Sequence, residues 1–397
     1  MATLTFEEAR RTVIEKMLGS RRAPLIEQVP LEDAAGRVLA EEIHADRDYP
    51  PRDRSVRDGF AVRASGLPGT FRVIGEVRAG QKFEGAVGDG EAIEIMTGAL
   101  LPEGADAVVM VEHTARQGDR MSTEHSGAPG LHVARQASEA TRGETLLHPG
   151  RRLGFAEISM LATVGKTQTA VYLRPPVAIL ATGDEILEVG DKPLDHQIRN
   201  SNAHSLAEQV RRAGGHANIL PVARDNFEST KTWIEAGLEH DLLLISGGVS
   251  AGKYDVVESV LAACGAEFYF DRVLIQPGQP LVFGRAASTF FFGLPGNPAS
   301  TMVTFEIFAR AAVEILGGQT EVALPMFACR LTKDFRHKTG LTRFLPASLS
   351  ADGTEVTPLG WQGSSDVPSL VRANAFLVAE SGRESWSAGE SIRVLPK

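Results

Sequence analysis

Cysteine is almost missing from this chain: Cys264 and Cys329 are the only two in 397 residues. They lie far apart and neither sits in a C-x-x-C pair, which argues against a thiolate metal site or a disulfide framework. Long apolar runs are absent too, since nothing approaches the ~20 residues needed to cross a bilayer. The opening MATLTFEEARRTVIEKML is broken by charges before any apolar segment forms, so it does not read as a signal peptide. Together these absences predict a soluble protein in a reducing, cytoplasmic setting. Positive charge is in deficit, with 41 Lys and Arg against 50 Asp and Glu and a net charge of −9. No basic face is visible, which argues against nucleic acid or an anionic membrane as the main partner. The ten histidines include no H-E-x-x-H pairing and the chain has no G-x-S-x-G, disfavouring a zinc hydrolase and the usual α/β-hydrolase. There is no short-period repeat and no low-complexity tract.

Glycine is abundant, at 40 residues, which points to tight turns and backbone-lined loops. The length suggests two to four domains, and 43% hydrophobic with 23% charged residues is ordinary for globular folds. A first helix is expected from Phe6, with Thr5 and Glu8 as its capping box and Phe6, Ala9, Val13 and Met17 on one face. A second short helix, LEDAAGRVLAEEI, is expected next, and the run DRDYPPRDRSVRDG marks a boundary. Residues 46–133 read as a β-rich unit of short strands between Gly turns. Residues 134–173 return to helix, clearest in GFAEISMLATVG, and with residues 1–45 form an expected discontinuous helical domain for dimerisation. Residues 174–322 alternate strands with helices of 10–15 residues, predicting a mostly parallel sheet covered on both faces. Residues 323–397 are expected to be all β.

Ligands of open α/β sheets bind beyond the carboxyl ends of the strands. Three unusual loops fall there: Thr182-Gly183-Asp184-Glu185, then Ser246, Gly247, Gly248, Ser250 and Gly252, and then Pro295, Gly296, Asn297 and Ser300 leading into a helix. Glycines admit a ligand to the backbone, and helix-start N–H groups favour phosphate-like anions. Residues 247–253 also satisfy G-x-x-x-x-G-K, but Tyr254 stands where a P-loop needs Ser or Thr. Glu185, Asp225 and Asp255 cluster at the same edge, and carboxylates beside a phosphate site suit a bridging Mg²⁺. Asp225, just before a helix, also reads as a simple cap. Asp58 and Thr97 sit in turns of the β-rich unit.

The set DRSVRDGFAVRA, IMTGALLPEGADAVVMVE, AILATGDEI, IRNSNAHSL, LISGGVSAGKYD, IQPGQPLVFG, FGLPGNPAS and WQGSS, in this order over nearly the whole chain, resembles the molybdopterin molybdenumtransferase family. The resemblance implies a four-part subunit of an elongated homodimer, including a molybdopterin-binding three-layer α/β domain and a C-terminal β-barrel-like domain. It implies insertion of molybdate into adenylyl-molybdopterin with release of AMP, assisted by Mg²⁺. The molybdopterin adenylyltransferase is an expected partner. Asp58, Thr97, Glu185, Asp225 and Asp255 match positions important for activity, with Glu185 and Asp255 matching the magnesium-binding carboxylates. Ser250 and its Gly loop match the nucleotide and pterin-phosphate cradle. Ser300 and residues 272–279, with Arg272, Gln276 and Gln279, match the molybdate side, and Ser364 stands in WQGSS.

The chain departs from the family pattern at the oxyanion end. The family's K-P-G-K is Gln276-Pro277-Gly278-Gln279, so both lysines are replaced by neutral amides. Its D-S-N is Asn200-Ser201-Asn202, its G-E-D appears as Ala137-Ser138-Glu139, and its G-R-x-E-F-x-R is residues 340–346, with an arginine only at Arg343. Arg272, Arg343 and Lys253 are the nearest cationic candidates. Two alternatives to the enzyme stay open on sequence alone: a diverged paralogue using another oxyanion or with weak activity, and a non-catalytic scaffold that only holds molybdopterin.

Overall fold

The computed structural model describes residues 3–20, 24–248 and 256–397. The chain forms two compact units, Met1–Ala40, Pro149–Phe155 and Gln168–Lys397 on one hand, Glu41–His148 and Ala156–Thr167 on the other.

The larger unit is built on a seven-stranded sheet. Its order is Thr3–Leu4, Glu267–Val273, Pro280–Ala286, Thr289–Leu294, Leu242–Ser246, Pro176–Ala181, His216–Ile219. Four neighbouring pairs are parallel, and the two that involve Pro280–Ala286 are antiparallel. Ala286 pairs with Thr289, so a two-residue hairpin turn reverses the chain there and interrupts the parallel pattern. Successive residues of a strand face opposite sides. Ile179, Leu244 and Phe292 therefore enter the core beneath the helices Ser201–Ala213 and Pro298–Thr304. Leu180, Ile245 and Phe291 enter the core beneath Phe227–Gly237 and Val256–Ala263. Three layers result, as continuous apolar strands require.

The first helix, Phe6–Gly19, carries the expected capping box: the Thr5 N–H donates to Glu8 Oε2 at 2.9 Å and the Glu8 N–H to Thr5 Oγ1 at 3.3 Å. Its apolar face is buried against the α/β body and the C-terminal region, with Phe6 edge-on to Phe308 at 5.9 Å and to Phe344 at 5.2 Å. The C-terminal strands Phe327–Leu331, Thr342–Leu349, Glu355–Pro358, Ala375–Ala379 and Ser391–Pro396 close into a five-stranded barrel, because Thr342–Leu349 pairs with both Glu355–Pro358 and Ala375–Ala379. The short strand Ile275–Gln276 adds to it in parallel, placing Gln276 opposite Arg343.

The second unit holds a six-stranded sheet ordered Ala107–Met110, Gly59–Val62, Glu91–Ile95, Gly69–Val77, Arg120–Thr123, Ala115–Gln117. Phe60 and Val62 pack on one face with Phe71 and Met121, while Ala61 packs on the other with Ile93 and Ile95.

Three expectations about secondary structure need correction. LEDAAGRVLAEEI is helical only over Leu31–Asp33; beyond it Val38 and Leu39 bridge to Arg152 and Val171, so tertiary pairing overrides local propensity. Residues 134–173 are helical only over Phe155–Thr163, and Gln168–Tyr172 pairs instead with Ile26–Pro30 because its Thr, Val and Tyr suit a strand. The C-terminal region is not all β: Val367–Arg372 is a short helix, capped where Asp366 accepts the Ser369 N–H at 3.0 Å.

Candidate active site

The carboxyl ends of the parallel strands open onto a cavity of about 1190 Å³ in the larger unit. The first wall begins where Pro176–Ala181 ends. The Thr182 N–H donates to the Ser246 carbonyl at 3.1 Å and the Gly183 N–H to the Ala223 carbonyl at 3.1 Å, fixing three loops in one place. Gly183 has φ +147°, and a Cβ there would lie 2.6 Å from the Glu185 carboxylate. Asp184 and Asp225 exchange bonds: the Asp184 N–H donates to Asp225 Oδ2 at 3.3 Å and the Asp225 N–H to Asp184 Oδ1 at 3.2 Å. Asn226, not Asp225, caps the following helix, accepting the Ser229 N–H at 2.9 Å. The capping explanation for Asp225 therefore fails, and its side chain lines the cavity together with Glu185.

The loop after Leu242–Ser246 passes close to Thr182. Gly247 has φ +92°, and a Cβ on it would lie 2.9 Å from the Thr182 carbonyl oxygen. Only glycine fits that backbone and that gap together. Thr182 is buried, and its hydroxyl has no hydrogen-bond partner among the described residues. Ser250, Gly252 and Asp255, as well as Lys253, lie outside the described residues.

The second wall joins the α/β layer to the barrel. Asn297 precedes the helix Pro298–Thr304, but its side chain donates to Ser364 Oγ at 2.8 Å instead of capping. The Ala299 N–H donates to the Ser364 carbonyl at 2.9 Å, so Ser364 is held at the helix start from two sides. Pro295, Gly296 and the buried Ser300 complete this corner. Gln276 and Gln279 line the cavity as well, and neither side chain has a hydrogen-bond partner among the described residues. Arg272 is exposed on its strand and is not among the lining residues, and neither is Arg343.

In the other unit, Asp58 and Thr97 meet. The Thr97 N–H and hydroxyl both donate to Asp58 Oδ1, at 2.6 and 2.8 Å. The backbone donor first, and the hydroxyl second, hold the Asp58 carboxyl below its ordinary range.

Sequence reasoning placed Thr182 and Asn202 in site segments but did not single out Arg199 as a cavity residue. Asn202 Nδ2 donates to Ser246 Oγ at 2.8 Å and to the Gly296 carbonyl at 2.7 Å, tying the second and third loops. A strand running directly into a helix start at Asn200 was the available signal.

A profile of the MoeA N-terminal region (domain I and II) matches residues 4–165, a probable molybdopterin binding domain matches 178–314, and the MoeA C-terminal region (domain IV) matches 328–397. The chain is 33% identical over 377 residues to the molybdopterin molybdenumtransferase of Staphylococcus aureus strain MRSA252, covering 92% of this chain and 90% of that one. The chain belongs to the MoeA family. A Staphylococcus epidermidis MoeA relative, also named molybdopterin molybdenumtransferase, is 33% identical over the same share of both chains. Two solved MoeA structures from Pyrococcus horikoshii superpose over the full chain. One has a TM-score of 0.73 at 32% identity and covers 99% of that protein; the other has 0.81 at 28% and covers 100%. No helix among the described residues is long and apolar enough to cross a membrane.

Proposed function

We propose that this MoeA-family chain inserts molybdate into adenylylated molybdopterin with release of AMP. The observation that carries the reading is the cavity itself. Loops at the carboxyl ends of three parallel strands, held together by Asn202 and Asp225, place carboxylates, glycine backbone and a helix start around one space large enough for a nucleotide-linked pterin. Cleaving a phosphoanhydride calls for positioning and charge neutralisation more than for a strong nucleophile.

The N–H groups of Gly248 and of Ser300, at the Pro298–Thr304 helix start, would donate to phosphoryl oxygens, and the Asn297, Ser300 and Ser364 side chains supply neutral donors at the other wall. Mg²⁺ suits the donor chemistry, because Glu185 and Asp225 present hard carboxylate oxygens on adjoining loops, with Asp255 as the expected second magnesium ligand beside Glu185. Bound there, it would offset negative charge on the phosphoryl oxygens. Asp58, fixed as an anion by Thr97, belongs to the same proposal as a residue needed for activity. The four-part division at residues 1–45 with 134–173, 46–133, 174–322 and 323–397, the homodimer, the adenylyltransferase partner and the cytoplasmic location complete it.

The test is AMP release by purified protein from adenylyl-molybdopterin and Mg²⁺, with and without molybdate. Molybdate-dependent AMP release is the expected result. No AMP under any condition would sink the proposal.

A further inference from the structure

The cavity has a charge problem. Its ligand under the proposed function is a polyanion, yet two of its lining side chains, Glu185 and Asp225, are acids, and the lysines of the family's oxyanion segment are Gln276 and Gln279 here. Among the described lining residues only Arg199 carries positive charge.

Arg199 is placed by its own loop. Residues 188–197 fold through two tight turns, the Asp191 N–H donating to the Glu188 carbonyl at 3.1 Å and the Gln197 N–H to the Leu194 carbonyl at 2.9 Å. The chain then pairs in parallel with the first wall, Ile198 opposite Ile186 and Arg199 opposite Leu187. Arg199 Nε donates back to the Asp191 carbonyl at 2.9 Å. That bond anchors the guanidinium through one nitrogen. The two terminal nitrogens have no acidic or carbonyl partner among the described residues. An arginine held at Nε with its fork open has the geometry for bidentate recognition of an oxyanion.

The next residues reinforce this choice of ligand. Asn200 caps the helix Ser201–Ala213 by accepting the Ala203 N–H at 3.1 Å, and being neutral it adds no negative charge. Ser201 and Asn202 line the cavity, and their N–H groups have no intrahelical acceptor. Thr182, buried on the adjoining loop, brings an unpartnered hydroxyl to the same cavity.

We propose that Arg199 is the oxyanion-recognition residue of this cavity, taking a multiply charged phosphoryl or molybdate group between its guanidinium and the start of the Ser201–Ala213 helix. It supplies on this wall the positive charge that Gln276 and Gln279 do not supply on the other. The inference rests on the proposed function for its substrate but not for its test, which measures binding alone.

Calorimetric titrations with AMP, pyrophosphate and molybdate, each at low and high salt, compare the full chain with Arg199→Ala, Arg199→Lys and Arg211→Ala. Arg211 is exposed on the same helix, pairs with Glu208 and does not line the cavity. Arg199→Ala is expected to weaken at least one titrant about tenfold or more and to flatten its salt dependence. Arg199→Lys should restore part of the loss, and Arg211→Ala should bind as the unaltered chain does. Weakening confined to AMP and pyrophosphate assigns Arg199 to the phosphoryl group; weakening confined to molybdate assigns it to the metal oxyanion. Affinities unchanged in Arg199→Ala, or no binding of any titrant to the unaltered chain, would overturn the inference. Oxyanion binding that depends on Arg199 in a chain that releases no AMP would leave it standing while removing the proposed activity.

Discussion

The wall formed by residues 182, 183, 185, 225 and 247–248 carries two carboxylates, and most of its backbone N–H groups are spent on tying the loops together. The wall formed by residues 275–280, 295–300 and 364 is lined by amides, hydroxyls and prolines and carries no charge. Under the proposed function the first would take a cation, since acids beside a phosphate site call for one between them. The second is organised around shape and neutral hydrogen bonds, with Asn297 and Ser364 locking each other in place. A molecule that spanned both would be held by charge at one end and by fit at the other. Neutral donors tolerate a range of anions, whereas a pair of carboxylates is committed to a cation partner.

The sharpest way to break this contrast is to neutralise the first wall. Glu185→Gln keeps the shape and removes the charge, and metal-dependent AMP release should fall roughly 100- to 1000-fold, as when one preorganised electrostatic group is lost. Rates that stay within a few-fold of the unaltered chain would take the metal away from this wall. Adding charge to the second wall sharpens the contrast from the other side. Gln276→Lys with Gln279→Lys replaces neutral donors by charge-assisted ones, so the molybdate concentration for half-maximal AMP release should drop roughly tenfold. A requirement that holds steady or rises would show that the oxyanion sits elsewhere. The smallest effect lies in the other unit. Asp58 is held below its ordinary pKa by Thr97, so its contribution to stability is present above the ordinary carboxylate range and is lost as pH falls through the lowered value. Thr97→Val removes the hydroxyl and keeps the backbone donor, so the Asp58 carboxyl should titrate at a higher pH, read by carbon NMR. An unmoved titration would leave the backbone bond as the whole cause.

The sequence was legible where local chemistry decides. The Thr5–Glu8 capping box, the alternating strands and helices of the α/β body and the glycine loops at strand ends follow from spacing and from residue type. It was opaque where a distant partner decides. Val38 and Leu39 look helical until the segments around Arg152 and Val171 offer them bridges. Asp225 looks like a cap until Asn226 takes that role and the Asp225 carboxylate accepts the Asp184 N–H. Arg199 escaped notice because its meaning depends on what the rest of the cavity lacks, a property of the assembled wall and not of any motif.

The outermost strand of the large sheet has a consequence for how the chain is made. Thr3 pairs with Arg272 and Leu4 with Val273, so during synthesis these two residues wait for partners about 270 residues behind them. At about 5–20 residues per second that delay is on the order of tens of seconds. The sheet edge at Thr3–Leu4 closes only after Val273 has emerged.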